Sequence, residues 1–429
     1  MKPLFVISCP IDTYSGYGSR SRDLVKAIIE TNKYDVKILP QRWGSTPWNF
    51  LQDHQEEWGF LKEHFLNQPQ LPKQPEIWAQ VTVPNEFQAV GKYNIGFTAG
   101  IETTVTPPDF IEGVNRMDVT FVSSEHAKFS MMESFAQEVN RETNQVIREI
   151  RVSKPIEVLF EGVDIEKYKP QNTPCSLDIK IKEDFAYLFV GHWLPGDIGE
   201  DRKNVGLLIK AFYETFKNKS KKPALILKTS MGGTSYMDRE EMLKRIAMIK
   251  STVNSKNLPN VYLLHGEFTD QEMNEIYNHS KVKAMVNLTK GEGFGRPLLE
   301  FSLVKKPIIT SGWSGQLDYL NPEFVPLLTG ELTPVHPSAA NQFLLQEAKW
   351  FTPDNGQIGH FLKDVFENYK KYQEKAVRQA YRSKTEFSYE KMKGLIDERL
   401  TALIPEFPKE VKLQLPQLKK IELPKLNKI

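Results

Sequence analysis

Short apolar runs alternate with helix-length amphipathic stretches along most of this chain, and that alternation leaves few folds open to it. The first run, Leu4-Phe-Val-Ile-Ser-Cys9, lies between Pro3 and Pro10. An apolar run of this length between turn formers reads as a strand buried on both faces, as in a parallel sheet. A loop over 11–18 leads into a helical pattern with Leu24, Ala27 and Ile28 on one face. Tyr34-Asp-Val-Lys-Ile-Leu39 follows as a strand, stopped by Pro40. Strand, helix and strand at this spacing predict a parallel sheet with helices on both faces. Strands at 94–97, 119–123 and 156–160 continue the series. Between them, residues 41–74 carry Trp43, Trp48, Phe50, Trp58, Phe60 and Phe65. They read as an amphipathic helix on the sheet edge, with an aromatic wall for an acceptor as the alternative.

Residues 169–184 are polar, contain Pro170 and Pro174, and show no clean period, which marks a domain boundary. The alternation then restarts. Strands are expected at 187–190, 224–227, 261–264, 284–287 and 307–310, and helices at 205–215, 239–253 and 270–279, with another opening at Pro297. A long helical pattern covers 341–403. The expected organisation is an N-terminal Rossmann-like domain over 1–170, a second over 171–403 that ends in long helices, and a tail over 404–429. In that tail Leu415-Pro-Gln-Leu is echoed by Leu423-Pro-Lys-Leu, and from Lys409 onward it carries six Lys and two Glu. Proline in each repeat forbids a continuous helix. Extended packing on the protein surface is the plainer expectation, and a basic arm for a polyanion the sharper one.

Composition limits the function classes. The 429 residues carry 56 Lys and Arg against 54 Asp and Glu, a net charge of +2. That excludes a strongly basic whole-molecule binder of nucleic acid. The basic stretches 217–222 and 370–382 and the tail still leave a nucleic acid or an anionic membrane surface open as partner, although solvated helix faces explain them equally well. Two cysteines, Cys9 and Cys175, cannot form a disulfide framework and point to a reducing, cytoplasmic compartment. The first apolar run is too short for a signal-peptide core, and nothing approaches the ~18 apolar residues of a spanning helix. The eight His form no close pair and the acids no DxD-type cluster, so a bound metal is not expected.

The densest motif is Gly291-Glu-Gly-Phe-Gly-Arg-Pro-Leu-Leu-Glu300. A glycine-rich loop leaves a strand and enters a helix with Pro297 at its expected first position, exposing backbone N–H groups on a positive helix end. Glu292 in the loop and Glu300 in the helix can face one crevice. Carboxylates there suit hydroxyl groups, including a sugar or ribose diol. After the first strand, Gly16-Tyr-Gly18 could be half a dinucleotide fingerprint. However, the third glycine position is Ser21 and no acid ends the second strand.

Glu292 and Glu300, seven residues between them, around Gly-Phe-Gly, resemble the Glu-x7-Glu motif of retaining glycosyltransferases with the GT-B fold, the large family 4 or "group 1" type. Phe160-Glu-Gly-Val-Asp164 is similar to the Asn-Gly-Val-Asp segment that ends the first domain of that family, with Glu161 replacing Asn. Val122-Ser-Ser-Glu125 and His265-Gly-Glu267 carry further likeness. The resemblance implies two Rossmann-like α/β domains facing a cleft. It also implies transfer of a sugar from a nucleotide-diphosphate sugar, as co-substrate and without other cofactor, to a hydroxyl acceptor. By the same likeness Glu300 would bind the ribose diol, and Glu292 the donor sugar hydroxyls, beside the backbone N–H groups of Phe294 and Gly295. Gly16 and Gly18 would face the diphosphate. Arg202 and Lys203 would neutralise it, adjacent here where the family spaces its Arg about five residues ahead of its Lys. Glu102, in Gly100-Ile-Glu-Thr-Thr104, ends a first-domain strand and would face the cleft, either as an acceptor-side contact or as a structural hydrogen-bonded acid, in a region where many members carry a His that this chain lacks.

The acceptor is open: a glycan, a lipid-linked glycan, a protein, or a hydroxymethylated base in DNA as for some phage transferases. Other classes that fit are a GT-B epimerase of nucleotide sugars and a non-catalytic nucleotide-sugar binder.

Overall fold

A computed structural model of the chain describes residues 2–66, 71, 73–172 and 175–408. The repeated tail segment from 409 onward lies outside them. The first domain contains β1 (Leu4–Cys9), α1 (Gly16–Glu30), β2 (Asp35–Pro40), the single-turn helices α2 (Phe50–Asp53) and α3 (Gln55–Trp58), β3 (Ile77–Val81), β4 (Tyr93–Thr98), α4 (Pro108–Arg116), β5 (Val119–Val122) and α5 (Glu125–Glu133). A hairpin of β6 (Phe135–Val139) and β7 (Val146–Arg151) precedes β8 (Ile156–Val158). The sheet runs β2-β1-β3-β4-β5-β8 with every pairing parallel. Strand alternation divides β1 between two cores: Phe5, Ile7 and Cys9 face Leu24 and Ile28 of α1, while Val6 joins Trp78, Phe87 and Met117 on the other face.

The second domain restarts the pattern with β9 (Ala186–Val190), α6 (Val205–Phe216), β10 (Ala224–Lys228), α7 (Tyr236–Ser251), β11 (Val261–Leu264), α8 (Asp270–Asn278), β12 (Val282–Asn287), α9 (Arg296–Ser302), β13 (Ile308–Ser311) and β14 (Leu327–Leu328). Its sheet order is β11-β10-β9-β12-β13-β14, again parallel throughout. Two six-stranded parallel sheets covered by helices make the expected GT-B architecture.

Four expectations need correction. The aromatic segment 41–74 is not one amphipathic helix. His54 leaves the helical region at φ −117° and ψ 42°, splitting α2 from α3, and a 3-10 turn covers Gly59–His64. Its aromatic and aliphatic residues divide accordingly: Leu51, Trp58 and Leu61 enter the core beside α1, while Trp43 stacks on Tyr17 with ring centroids 4.0 Å apart. Second, β3 was not anticipated, although it lies between β1 and β4 at the centre of the sheet. Third, 341–403 is not one helical stretch. β15 (Gly330–Pro334) and β16 (Lys349–Pro353) form an antiparallel hairpin. Three separate helices then follow, α10 (Asn355–Glu367), α11 (Tyr369–Glu386) and α12 (Tyr389–Leu403). Asp354 and Ser388 cap α10 and α12 by accepting from the amides of Gln357 and Lys391, which sets where each begins. Fourth, α9 starts at Arg296, so Pro297 is its second residue rather than its first; neither position needs an intrahelical donor.

The last helix departs from the expected division at 171–403. Tyr389, Met392, Ile396 and Leu400, at helical spacing, pack into the core of the first domain. The crossing is close. The Val163 carbonyl accepts from the Tyr389 amide at 2.8 Å, the Val163 amide donates to the Phe387 carbonyl at 3.1 Å, and a Cβ on Gly162 would stand 2.7 Å from the Tyr389 Cα.

Candidate active site

Strand ends place the polar groups. In parallel sheets of this kind the C-terminal ends of the strands converge on a crevice, so the residue that ends or follows each strand is presented to it. Thr98 ends β4, Ser123 follows β5, His192 follows β9, Lys228 ends β10 and Asn287 ends β12. All of them line a cavity of about 330 Å³ between the domains. A second cavity of about 270 Å³ adjoins it. Gly16, Val190, His192, Lys228, Arg296 and Pro297 line both, so the two are halves of one cleft.

Glu292 belongs to the larger half. The loop that carries it is fixed by its own backbone: the Glu292 amide donates to Ser314 Oγ at 2.9 Å, and its carbonyl accepts from Gly315 N at 3.0 Å. The side chain is buried, and Lys203 Nζ donates to both carboxylate oxygens at 2.5 and 2.6 Å. Burial pushes the Glu292 carboxyl up, but the Lys203 and Arg202 cations outweigh it and hold the group below the usual carboxylate range. Glu292 is therefore ionised. Arg202 stands behind the loop, donating to the Gly291 carbonyl at 2.7 Å and pairing across the cleft with Glu102 at 3.3 Å. It lines neither half. Gly293, Phe294 and Gly295 line the larger half; the Phe294 ring is buried against Tyr319, so its backbone is what the cavity meets. Gly295, the residue just before α9, has φ 86°, a left-handed conformation that favours glycine.

Glu300 belongs to the smaller half. It accepts from Arg296 Nε at 3.0 Å and from the Tyr277 hydroxyl at 3.1 Å, and Arg296 in turn grips Asp23 of α1 at 2.6 Å. Burial is the main reason its carboxyl is pushed up to about 7; Arg296 works against that shift and Asp270 adds to it. One donor on each oxygen leaves lone pairs for the hydroxyls of a diol.

The remaining expected residues divide. Gly16 lines both halves, with open space where a Cβ would be. Gly18 lines neither. Its amide donates to Ser15 Oγ at 2.9 Å as part of the α1 cap, and a Cβ there would lie 2.3 Å from the Thr13 carbonyl oxygen, so close packing requires glycine. Glu102 lines the larger half and is engaged by Arg202. His192 and Lys228 were missed, although each sits at the end of a strand the sequence reveals. His192 bonds to Ser230 Oγ at 3.1 Å, and burial, with Lys203 and Lys228 nearby, lowers its affinity for a proton.

Among the described residues no group of three or more His, Cys, Asp or Glu could hold a metal ion. Among them, too, no helix is long and apolar enough to cross a membrane. The basic stretches carry local ion pairs, Lys217 with Glu214 at 2.6 Å and Arg382 with Glu386 at 3.4 Å.

No protein-family profile matches the chain, and no curated protein matches it in sequence. Solved structures do match in fold. Anabaena Alr3699/HepE in complex with UDP and glucose is 13% identical and superposes with a TM-score of 0.58, over 93% of this chain and 100% of its own. Sucrose-phosphate synthase from Thermosynechococcus elongatus is 11% identical, with a TM-score of 0.59 over 94% and 100%. An E. coli trehalose-6-phosphate protein bound with UDP-2-fluoro glucose is 12% identical, with a TM-score of 0.56 over 95% and 100%. At such identities the likeness is one of fold.

Proposed function

We propose that this GT-B-fold chain is a retaining glycosyltransferase that moves a sugar from a nucleotide-diphosphate sugar to a hydroxyl acceptor. The observation that carries the reading is one continuous cleft at the strand ends, with Glu300 in one half and the Lys203–Glu292 pair in the other. Structures of the same fold hold UDP with glucose and a UDP-sugar analogue, which supports a nucleotide sugar as ligand. In this reading Glu300 accepts from the ribose diol and Glu292 from sugar hydroxyls. Both Glu292 oxygens are engaged by Lys203, which suits hydroxyl recognition rather than attack on the anomeric carbon. No enzyme nucleophile is assigned. The bond from the anomeric carbon to the diphosphate breaks with its electron pair passing to the phosphate oxygen. The acceptor oxygen bonds to the same face of the sugar, and the departing phosphate takes the acceptor proton. Fixed cations in the cleft offset the charge that develops on the leaving group. Incubation with a panel of nucleotide sugars and acceptors, with products read by mass spectrometry and anomeric configuration by NMR, tests this. An inverted product would overturn retention.

Two expected outcomes follow from the site. EDTA leaves transfer intact, because cations of the chain are the proposed source of charge compensation. Complete loss on chelation, restored by Mg²⁺ or Mn²⁺, would contradict it. The second concerns pH. Bidentate acceptance from a diol needs the ionised Glu300, so affinity for a nucleoside rises as pH increases through about 7. The stability contribution has the opposite sign. A carboxyl whose pKa is raised on folding binds more protons in the folded state, so stability falls as pH rises from the ordinary carboxylate range to about 7. NMR titration with the free nucleoside reads the first effect without the terminal phosphate, which titrates in the same region. Glu300→Gln should bind weakly at every pH; a pH-dependent affinity that persists in that variant would refute the assignment.

A further inference from the structure

Most of the cations that line the cleft are already engaged. Both Glu292 oxygens hold Lys203, Asp23 and Glu300 hold Arg296, and Asp270 holds Lys167 at 2.9 Å. Arg20 and Arg22 point back into the first domain and donate to backbone carbonyls. Lys228 differs. It is the last residue of β10, it lines both halves of the cleft where they join, and among the described residues its ammonium has neither a hydrogen bond nor an ion pair. The Phe268 ring lies 5.5 Å from its Nζ. Lys26 is also unpaired, but it lines the smaller half alone and lies 4.9 Å from the centre of the Tyr389 ring.

We propose that Lys228 is the cation that receives the diphosphate of the donor, the task for which Arg202 and Lys203 were the sequence candidates. This rests on the cleft binding a nucleotide-diphosphate sugar. If the ribose meets Glu300 in one half and the sugar meets Glu292 in the other, the group connecting them crosses the junction that Lys228 lines. A diphosphate crossing there offers oxygens to an ammonium with all its donors free. Burial lowers the proton affinity of this lysine, and Glu267 and Glu300 only partly oppose that shift; an adjacent phosphate opposes it further. When the bond to the anomeric carbon breaks, the electron pair adds charge to the phosphate oxygen beside Lys228, which keeps its own proton. Lys203, meanwhile, stays with Glu292 as a positioning residue for the carboxylate that meets the sugar.

The test uses the full chain with UDP, GDP and ADP, each compared with its free nucleoside, by calorimetry or NMR titration. For whichever diphosphate the unmodified protein binds, Lys228→Met should weaken binding at least about tenfold. Affinity for the matching nucleoside should change less than about twofold, and Lys228→Arg should recover most of the loss. Removing an unpaired charge orphans no partner, so the variant should fold; Lys228→Gln serves as a second neutral variant. Unchanged diphosphate affinity in either neutral variant overturns the proposal, as does an equal loss for the nucleoside. If the unmodified protein binds none of the three diphosphates, the reading of the cleft fails first and the role of Lys228 falls with it.

Discussion

Glu292→Ala should depress the proposed sugar transfer on the order of a hundredfold or more and destabilise the fold by about 3–5 kcal/mol, the cost of leaving one partner of a buried ion pair without its counter-charge. The stranded group is Lys203, whose side chain is 14% exposed and whose ammonium donates to both Glu292 oxygens. Arg202, 3.7 Å from the same carboxylate, keeps Glu102 and the Gly291 carbonyl as partners and is less affected. Rate and stability separate in the double variant Glu292→Leu with Lys203→Met. Removing both charges restores most of the stability, because nothing buried is left unpaired. Transfer remains depressed on the order of a hundredfold or more, the size of loss seen when a preorganised polar group is taken from a reacting centre. Denaturant unfolding and product formation on the same preparations measure the two effects. A single variant as stable as the parent would show that the Lys203–Glu292 pair does not bear on the fold. A double variant with full activity would remove Glu292 from the chemistry.

Gly291→Ala should hold the two domains apart. A Cβ at this position would stand 2.0 Å from the carbonyl oxygen of Glu102, a backbone atom of the opposite domain that cannot rotate away. The conformation of Gly291 is not the left-handed one that favours glycine, so the obstacle is contact between domains rather than strain within the loop. Relief requires the 99–104 loop to withdraw. That breaks the Arg202–Glu102 pair and the bond from the Thr104 amide to the Lys349 carbonyl at 2.9 Å. The expected result is a larger radius of gyration by small-angle scattering and a loss of transfer of about a hundredfold, the scale reported for an ångström of misplacement. Nucleoside binding should survive, since Glu300 and Tyr277 both belong to the second domain. Gly394→Ala is the control. It lies within α12 with open space for a Cβ, and there alanine should stabilise by roughly 0.5–1 kcal/mol. An unchanged radius and full activity in Gly291→Ala would mean that the glycine loop does not need the opposite domain seated on it.

Legibility varied with the range of the interaction that decides each feature. In the second domain the expected strand at 261–264 and the helix opening at 205 and at 270 coincide with β11, α6 and α8. Apolar period and capping residues sit in the same few residues as the element itself, as Thr269 and Glu272 show by capping α8 reciprocally. β3 escaped because Ile77-Trp-Ala-Gln-Val81 is short and follows an aromatic-rich stretch whose period misleads. Its flanking prolines, Pro75 and Pro84, were the available signal. β16 was lost inside a pattern read as helix and β15 lies just ahead of it, since their pairing joins residues on either side of a loop from 335 to 348.

The sequence by itself determined two parallel α/β domains and a glycine loop that carries two carboxylates from a strand end into a helix. Those properties arise from neighbours within a few residues, where hydrophobic period and backbone preference act directly. Tertiary structure alone decided which charge meets which. Lys203, expected to face phosphate, lines the cleft and holds Glu292, 89 positions away; Arg296 reaches 273 positions back to Asp23; and α12 crosses to the core of the other domain. A buried ion settles on whichever counter-charge the packing brings within about 4 Å. That distance is set by how the two sheets face each other, so no local stretch of sequence contains it, and Lys228, unpaired among the described residues where the two halves of the cleft join, emerges only once the partners of Lys203, Arg296 and Lys167 are known.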